Sequence, residues 1–414
     1  MPFHSHRLPN GLQIIGETSP SARSVAVGFF VRTGSRDETP EVCGVSHFLE
    51  HMAFKGSDKR TAAEVNRDFD AIGADYNAFT SEENTVYHAA VLPEFLPRVI
   101  DIIADLLRPK LRQEDFDVEK KVIINEIGRY EDQPMWSAYD NGKQVHFGTH
   151  NLGNSILGTP DTITALTRDQ MEGYFRRRYI APNITVVAAG RFDWEPFVRL
   201  IEEQCADWTV GPTGRAGVVE TPGTCKMKVI HKPKVAQEYF ILMGGGPTAQ
   251  SKLRHAADLL GMVIGDDSGS RLYWTLIDPG LADSADCSFH EYDGTGVYYT
   301  SFSCEPDAAE KNFALVHEVL HKVQTEGITA EELETARSKL ISRIVRSNER
   351  PRGRLVTLGM QWTYHGEYRS VDDDLKAYEA VTLDDINEVI KRYPLDKHTT
   401  MALGPLEKVD APGR

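Results

Sequence analysis

Leu166-Thr167-Arg168-Asp169-Gln170 and Val381-Thr382-Leu383-Asp384-Asp385 open two segments that read alike. In each, a threonine placed to cap a helix is followed three residues on by a polar side chain, Gln170 or Asp385, that can return the hydrogen bond. The helix then runs to an Arg-Tyr pair, Arg178-Tyr179 or Arg392-Tyr393, and an apolar strand follows: Asn183–Gly190 (NITVVAAG) or His398–Gly404 (HTTMALG). Such a repetition implies two domains of similar design. Between them Trp208–Thr224 (WTVGPTGRAGVVETPGT) is rich in Gly, Pro and Thr without helical or strand periodicity, and reads as a linker. The expected division is an N-terminal domain over 1–210, a linker over 211–228 and a C-terminal domain over 229–414.

Outward from these ends, strands and helices mix. Ser24–Arg32 and Thr85–Leu92 read as strands. Thr61–Ile72, with Thr61 at the cap, Glu64 at the box position and Gly73 as a stop, reads as a helix, as do Pro93–Leu107 and Glu114–Arg129. Strand pairs followed by helix pairs predict an α+β fold, each domain a mainly antiparallel sheet with helices packed on one face.

Composition narrows the class. In 414 residues no apolar run approaches the roughly 18 that a membrane span needs. A net charge of −15 disfavours a nucleic-acid surface and favours cationic partners. Met1–His6 has neither a basic region followed by an apolar one nor an Arg-rich amphipathic stretch, so a cytoplasmic protein is expected. Cys43, Cys205, Cys225, Cys287 and Cys304 are odd in number and widely spaced, with no Cys-x-x-Cys pair, which argues against disulfides and a thiolate zinc site.

Chemistry concentrates in Val45-Ser46-His47-Phe48-Leu49-Glu50-His51-Met52. Val45, Phe48, Leu49 and Met52 form one apolar stripe at helical spacing, which leaves His47, Glu50 and His51 together on the opposite side. Two imidazoles one turn apart can converge on one Zn²⁺ with a carboxylate beside them to take a proton from water. Spacing alone also allows an exposed polar face that happens to hold two histidines. The chain contains a control: His317-Glu318-Val319-Leu320-His321 has the usual zinc-protease spacing. There the helix buries Phe313, Val316, Leu320 and Val323, and no third histidine follows His321 at metzincin spacing. Glu331, Glu332 and Glu334 lie on a charged surface helix, so this second motif is expected to be structural. The first gains support from Phe116–Ile127, where Glu119, Val122, Ile123 and Glu126 share a stripe. Carboxylates among β-branched apolar residues need a cation or strong donors, either a metal site or a salt bridge to an arginine.

Gly44 through Gly56 (GVSHFLEHMAFKG) resembles the zinc signature of the pitrilysin/insulinase metallopeptidases, the inverzincins, whose His-x-x-Glu-His order inverts the usual one. Leu8-Pro9-Asn10-Gly11-Leu12 is similar to the family's opening, Asn77-Ala78-Phe79-Thr80 with Thr85-Val86-Tyr87 to its substrate-edge segment, and Glu119 to Ile127 with Asp132-Gln133-Pro134 to its third-ligand helix. The nearest branch is that of the roughly 400-residue bacterial proteins similar to the mitochondrial processing peptidase β subunit. The resemblance implies that His47, His51 and Glu126 hold one Zn²⁺ per chain, that Glu50 is the general base toward a metal-activated water, and that Glu119 is a supporting carboxylate. It further implies that a peptide adds as an extra strand at Asn77, Ala78 and Phe79. Cys43, one turn before His47, reads as a buried thiol in preference to a fourth ligand.

The second half departs from the pattern. Gly269-Ser270-Arg271-Leu272-Tyr273 resembles the family's Ser-x-Leu helix start, yet Ile277 and Asp283 stand where many active members carry an Arg and a Tyr. Members similar to the processing-peptidase β subunit also lack them, which implies that a partner subunit completes the site. The expected function is a zinc endopeptidase acting on extended, preferentially basic peptides, as a homodimer or with a paralogous subunit. The alternative is a non-catalytic scaffold or partner subunit of a hetero-oligomeric peptidase.

Overall fold

The computed structural model describes residues 2–215 and 223–411. It forms two compact units, one of residues 1–127, 154–216 and 345–371, the other of 128–153, 217–344 and 372–414. Division at a single point near residue 210 therefore misses two exchanged segments: 128–153 lies with the unit built mostly from the second half, and 345–371 with that of the first. An amphipathic helix signals that it covers a sheet but not which sheet, so sequence order supplied the wrong partner. Part of the expected linker, 216–222, lies outside the described residues. Its beginning is anchored, since Arg215 is held by Asp37 at 2.9 Å and Glu83 at 3.3 Å.

The first unit contains β1 (Phe3–Arg7), β2 (Gln13–Thr18), β3 (Val25–Val31), β4 (Asp75–Thr80), β5 (Thr85–Val91) and β6 (Ile184–Gly190), in the order β1-β2-β6-β3-β5-β4. The second contains β7 (Met227–His231), β8 (Glu238–Gly246), β9 (Ser284–Tyr292), β10 (Thr295–Cys304) and β11 (His398–Gly404), in the order β7-β11-β8-β10-β9. In both, the last strand in sequence slots into the sheet with one parallel neighbour (β2 or β7) and one antiparallel neighbour (β3 or β8). All other pairings are antiparallel. The repetition seen at the sequence ends is thus a repeated topology. Thr167 and Thr382 cap their helices with the reciprocal bonds from Gln170 and Asp385, and these helices lead into β6 and β11.

The α+β architecture with two similar domains stands, and each sheet carries helices on both faces. Along β8, Phe240 and Leu242 join a core with Val263, Val316 and Ile386, while Ile241 and Met243 join another with Ala138 and Phe147 of the Pro134–Phe147 helix. In the first unit the Pro351–His365 helix brings Leu355 and Leu358 against Ala26, Phe30, Val86 and Val187. Double coverage explains why β3 (VAVGFFV) lacks alternation and is buried at every position.

Candidate metal centre

The His-x-x-Glu-His helix spans Val45–Ala53. It starts at Gly44, whose φ of +93° suits glycine, and a Cβ there would stand 2.7 Å from the Leu157 carbonyl oxygen. Both oxygens of buried Glu38 accept hydrogen bonds at its start, from the Gly44 N–H (2.7 Å) and the Ser46 N–H (2.8 Å), satisfying donors that a helix N-terminus leaves open. The predicted stripe of Val45, Phe48, Leu49 and Met52 is buried. Phe48 stacks on Phe116 with ring centres 4.7 Å apart, which locks this helix against Gln113–Glu131. From Phe116, Glu119 and Glu126 follow one and three turns along, and both reach the histidines.

His47, His51 and Glu126 each offer a ligand atom, and these atoms lie within 4.8 Å of one another. The Glu126 Oε2 is 3.5 Å from Nε2 of His51 and 3.9 Å from Nε2 of His47. On the far side of the His51 ring, Nδ1 is 2.8 Å from Glu119 Oε1. An Nδ1–H donated to that carboxylate leaves the Nε2 lone pair facing Glu126. Lys55 Nζ stands 2.5 Å from the other oxygen of Glu119. Burial, opposed by the bonds to His51 and Lys55, leaves Glu119 on balance below the usual carboxylate range. His47 is held by packing: burial and the neighbouring His51 push its pKa down to about 3, so the ring is neutral. For His51, burial is outweighed by the Glu119 bond and the charges of Glu126 and Glu50, and its pKa rises. Two imidazole nitrogens and one carboxylate oxygen converging with further positions open is a donor set that fits zinc.

Glu50 sits between the histidines in sequence, and its Oε2 accepts a hydrogen bond from Thr80 Oγ1 at 2.5 Å. Burial, against the Thr80 bond and the His51 charge, raises its pKa. Thr80 ends β4, the sheet's edge strand, which also carries Asn77, Ala78 and Phe79. Asn77 Oδ1 accepts the Ala78 N–H at 2.9 Å.

Several expectations need correction. Val122 is not on the buried stripe but 42% exposed; the helix buries Phe116, Glu119, Ile123 and Ile127 instead. The cation beside Glu119 is Lys55 and not an arginine. Thr80 holds Glu50 by a bond between elements, which the period-2 pattern of a strand does not encode. Cys43 points its thiol at the Ser155 carbonyl, 3.6 Å away. In the second motif Glu318 is paired with Lys322 at 2.7 Å and His321 is exposed; Glu332 is taken by Arg271 at 2.7 Å. Asp283 accepts from Gln237 at 2.5 Å.

Residues 13–160 match the insulinase family, peptidase family M16, and residues 165–340 match the peptidase M16 inactive domain. An uncharacterized zinc protease of Streptomyces coelicolor is 33% identical over 413 residues, covering 98% of this chain and 90% of that one. The chain belongs to peptidase family M16. A second uncharacterized zinc protease, from Bacillus subtilis, is 29% identical over 398 residues, 96% of this chain and 97% of its own length. Among solved structures, a protease from Helicobacter pylori superposes with a TM-score of 0.90 at 20% identity, covering 98% of this chain and 99% of that one. A peptidase M16 inactive domain from Pseudomonas fluorescens does so with 0.91 at 16%, covering both chains fully. At such identities the structures speak for the fold alone. No helix among the described residues of this M16 chain is long and apolar enough to cross a membrane.

Proposed function

We propose that the chain is a zinc-dependent endopeptidase for extended peptides, with His47, His51 and Glu126 holding one zinc per chain and Glu50 as general base. The observation that carries this reading is the convergence of three ligand atoms within 4.8 Å beside the half-buried carboxyl group of Glu50. Zinc held there supplies Lewis-acid polarisation of a water and of the scissile carbonyl. Glu50 takes the proton from the attacking water and returns it to the leaving amine nitrogen. Glu119 fixes the His51 tautomer from behind. The free edge of β4 offers backbone groups of Asn77, Ala78 and Phe79 to an added strand, which orients the peptide while asking little of its sequence. Ile277 and Asp283 leave the second half without the Arg and Tyr of many members, which favours completion of the site by a second copy or a paralogous subunit.

The test compares wild type with Glu50→Gln on quenched peptides, basic ones included, with zinc measured in both. Cleavage by wild type, lost in Glu50→Gln with about one tightly held zinc kept in each, is the expected result. Bound zinc without cleavage by wild type transfers the chemistry to an assembly with a partner chain. Wild type that holds no zinc after purification in its presence overturns the reading in favour of a scaffold.

A further inference from the structure

The motif that the peptidase reading leaves unused has acquired a third histidine through the fold. His317 and His321 lie one turn apart on the Ala309–Glu326 helix, and His398 opens β11. These three line a cavity of about 460 Å³ together with Cys225, Asp396 and Thr400. The rings of His317 and His398 are 5.8 Å apart, centre to centre, and inclined at 69°. For His47 and His51 the values are 4.7 Å and 61°. With Zn–N bonds of about 2.0–2.1 Å, two imidazoles on one tetrahedral ion have ring centres about 5 Å apart, a value that the two pairs bracket.

The second pair shares a further property with the first. His51 has its Nδ1 engaged by Glu119 and presents Nε2; His398 has its Nδ1 engaged by Thr400 Oγ1 at 2.9 Å, and its Nε2 is buried without a hydrogen-bond partner. With Nδ1 held by Thr400, Nε2 is the nitrogen of His398 left to ligate. The cluster is no relic of the internal repetition. By order along the chain, the helix equivalent to Val45–Ala53 is Arg254–Gly265, which carries only His255.

We propose that His317 and His398, closed by His321, form a second binding site for a borderline transition-metal ion such as zinc. Among the described residues only His47, His51 and Glu126 already bring three ligand atoms within 4.8 Å, so this second site closes when the exposed His321 side chain turns inward. Imidazole donors with a thiol at the wall favour zinc-like ions over magnesium or calcium. The lining also holds Lys226 and Lys397 against one carboxylate, Asp396, so the imidazoles and not the charge of the cavity hold the ion. Glu318, bound to Lys322, is not placed to act as a base, so the site binds without hydrolysing.

The proposal is independent of the peptidase reading, and its test keeps the two apart. The full chain is stripped with a chelator and titrated with zinc against a chromophoric competitor, and separately with cobalt, whose visible absorption reports its ligands. Wild type is expected to take two equivalents; His398→Ala and His317→Ala one each, with peptide cleavage unchanged; and His321→Ala a second equivalent weakened at least tenfold. His47→Ala is expected to lose the other equivalent and keep this one. Zinc uptake that His317→Ala and His398→Ala both leave unchanged, or that His47→Ala abolishes entirely, overturns the proposal; a single wild-type equivalent lost in His398→Ala and kept in His47→Ala supports it and counts against the peptidase reading. Should the strand residue His398 prove necessary for folding, His317→Ala and the exposed His321→Ala decide the question by the same titration, with circular dichroism reporting the fold.

Discussion

The hydroxyl of Thr80 is a side-chain donor that meets Glu50, the general base of the proposed reaction. It donates to Glu50 Oε2 at 2.5 Å and fixes a carboxylate that otherwise has free rotation about its last bonds. A hydrogen bond to a charged acceptor contributes about 1.5–3 kcal/mol. If that orientation is needed in the transition state, Thr80→Val lowers kcat about 10- to 100-fold while KM and zinc content stay near wild type. Thr80→Ser keeps the donor and is expected to recover most of the rate. Equal kcat in the valine and serine variants would mean that Glu50 is oriented by its packing. Lys55 and Thr80 illustrate where residue-level reading stops. His47, Glu50 and His51 were legible as one helix face from their spacing, whereas the roles expected of Glu119 and Glu126 came from the family resemblance. Lys55 Nζ and Thr80 Oγ1 reach their partners across elements, and no periodicity encodes that.

At the scale of elements, close approach can reverse an intrinsic preference. Gly359 lies in the Pro351–His365 helix, where helix propensity alone makes Gly→Ala stabilising by about 1 kcal/mol. A Cβ at this position would stand 2.2 Å from Cζ of Phe30 and 2.4 Å from one of its Cε atoms. Phe30 is buried within β3 and its ring has no open side to move into. Overpacking costs about 1–3 kcal/mol, so Gly359→Ala is expected to lower Tm by several degrees, and Phe30→Leu added to it to restore part of the loss. A rise in Tm for Gly359→Ala would show that propensity wins and that the helix sits farther from the sheet. The same contact explains an error of reading. The apolar run of β3 identified a strand within one residue at each end, yet a run without alternation carries no information about what covers each face. Capping boxes at Thr61, Thr167 and Thr382 were legible because their bonds are local in sequence. The exchange of 345–371 was not, because it joins Leu355 and Leu358 to Val187, Val86 and Ala26, partners far beyond the reach of any local pattern.

At the scale of the molecule, that exchange completes the first unit. Arg354 donates through Nε to Glu17 Oε2 at 2.8 Å, with both side chains only 2% exposed, and the Tyr368 hydroxyl reaches the same oxygen at 3.2 Å. A fragment of residues 1–210 would keep Glu17 and lose both partners. Breaking a buried ion pair from one side costs about 3–5 kcal/mol. Loss of Leu355 and Leu358 from the face of Ala26, Phe30 and Val187 removes about 1.5–3 kcal/mol for each leucine. Together these losses are comparable to the roughly 5–15 kcal/mol that hold an ordinary domain folded. The fragment is therefore expected to bind a dye for exposed apolar surface and to melt without a cooperative transition, although it contains His47, His51 and Glu126. Adding a peptide of residues 345–371 should restore cooperativity and, with it, the proposed zinc binding, because the helices that carry His47, His51 and Glu126 belong to a unit that is incomplete without that segment. A 1–210 fragment that unfolds in one sharp step and holds zinc unaided would show that the first half is self-sufficient and that the Pro351–His365 helix only covers a sheet already stable without it.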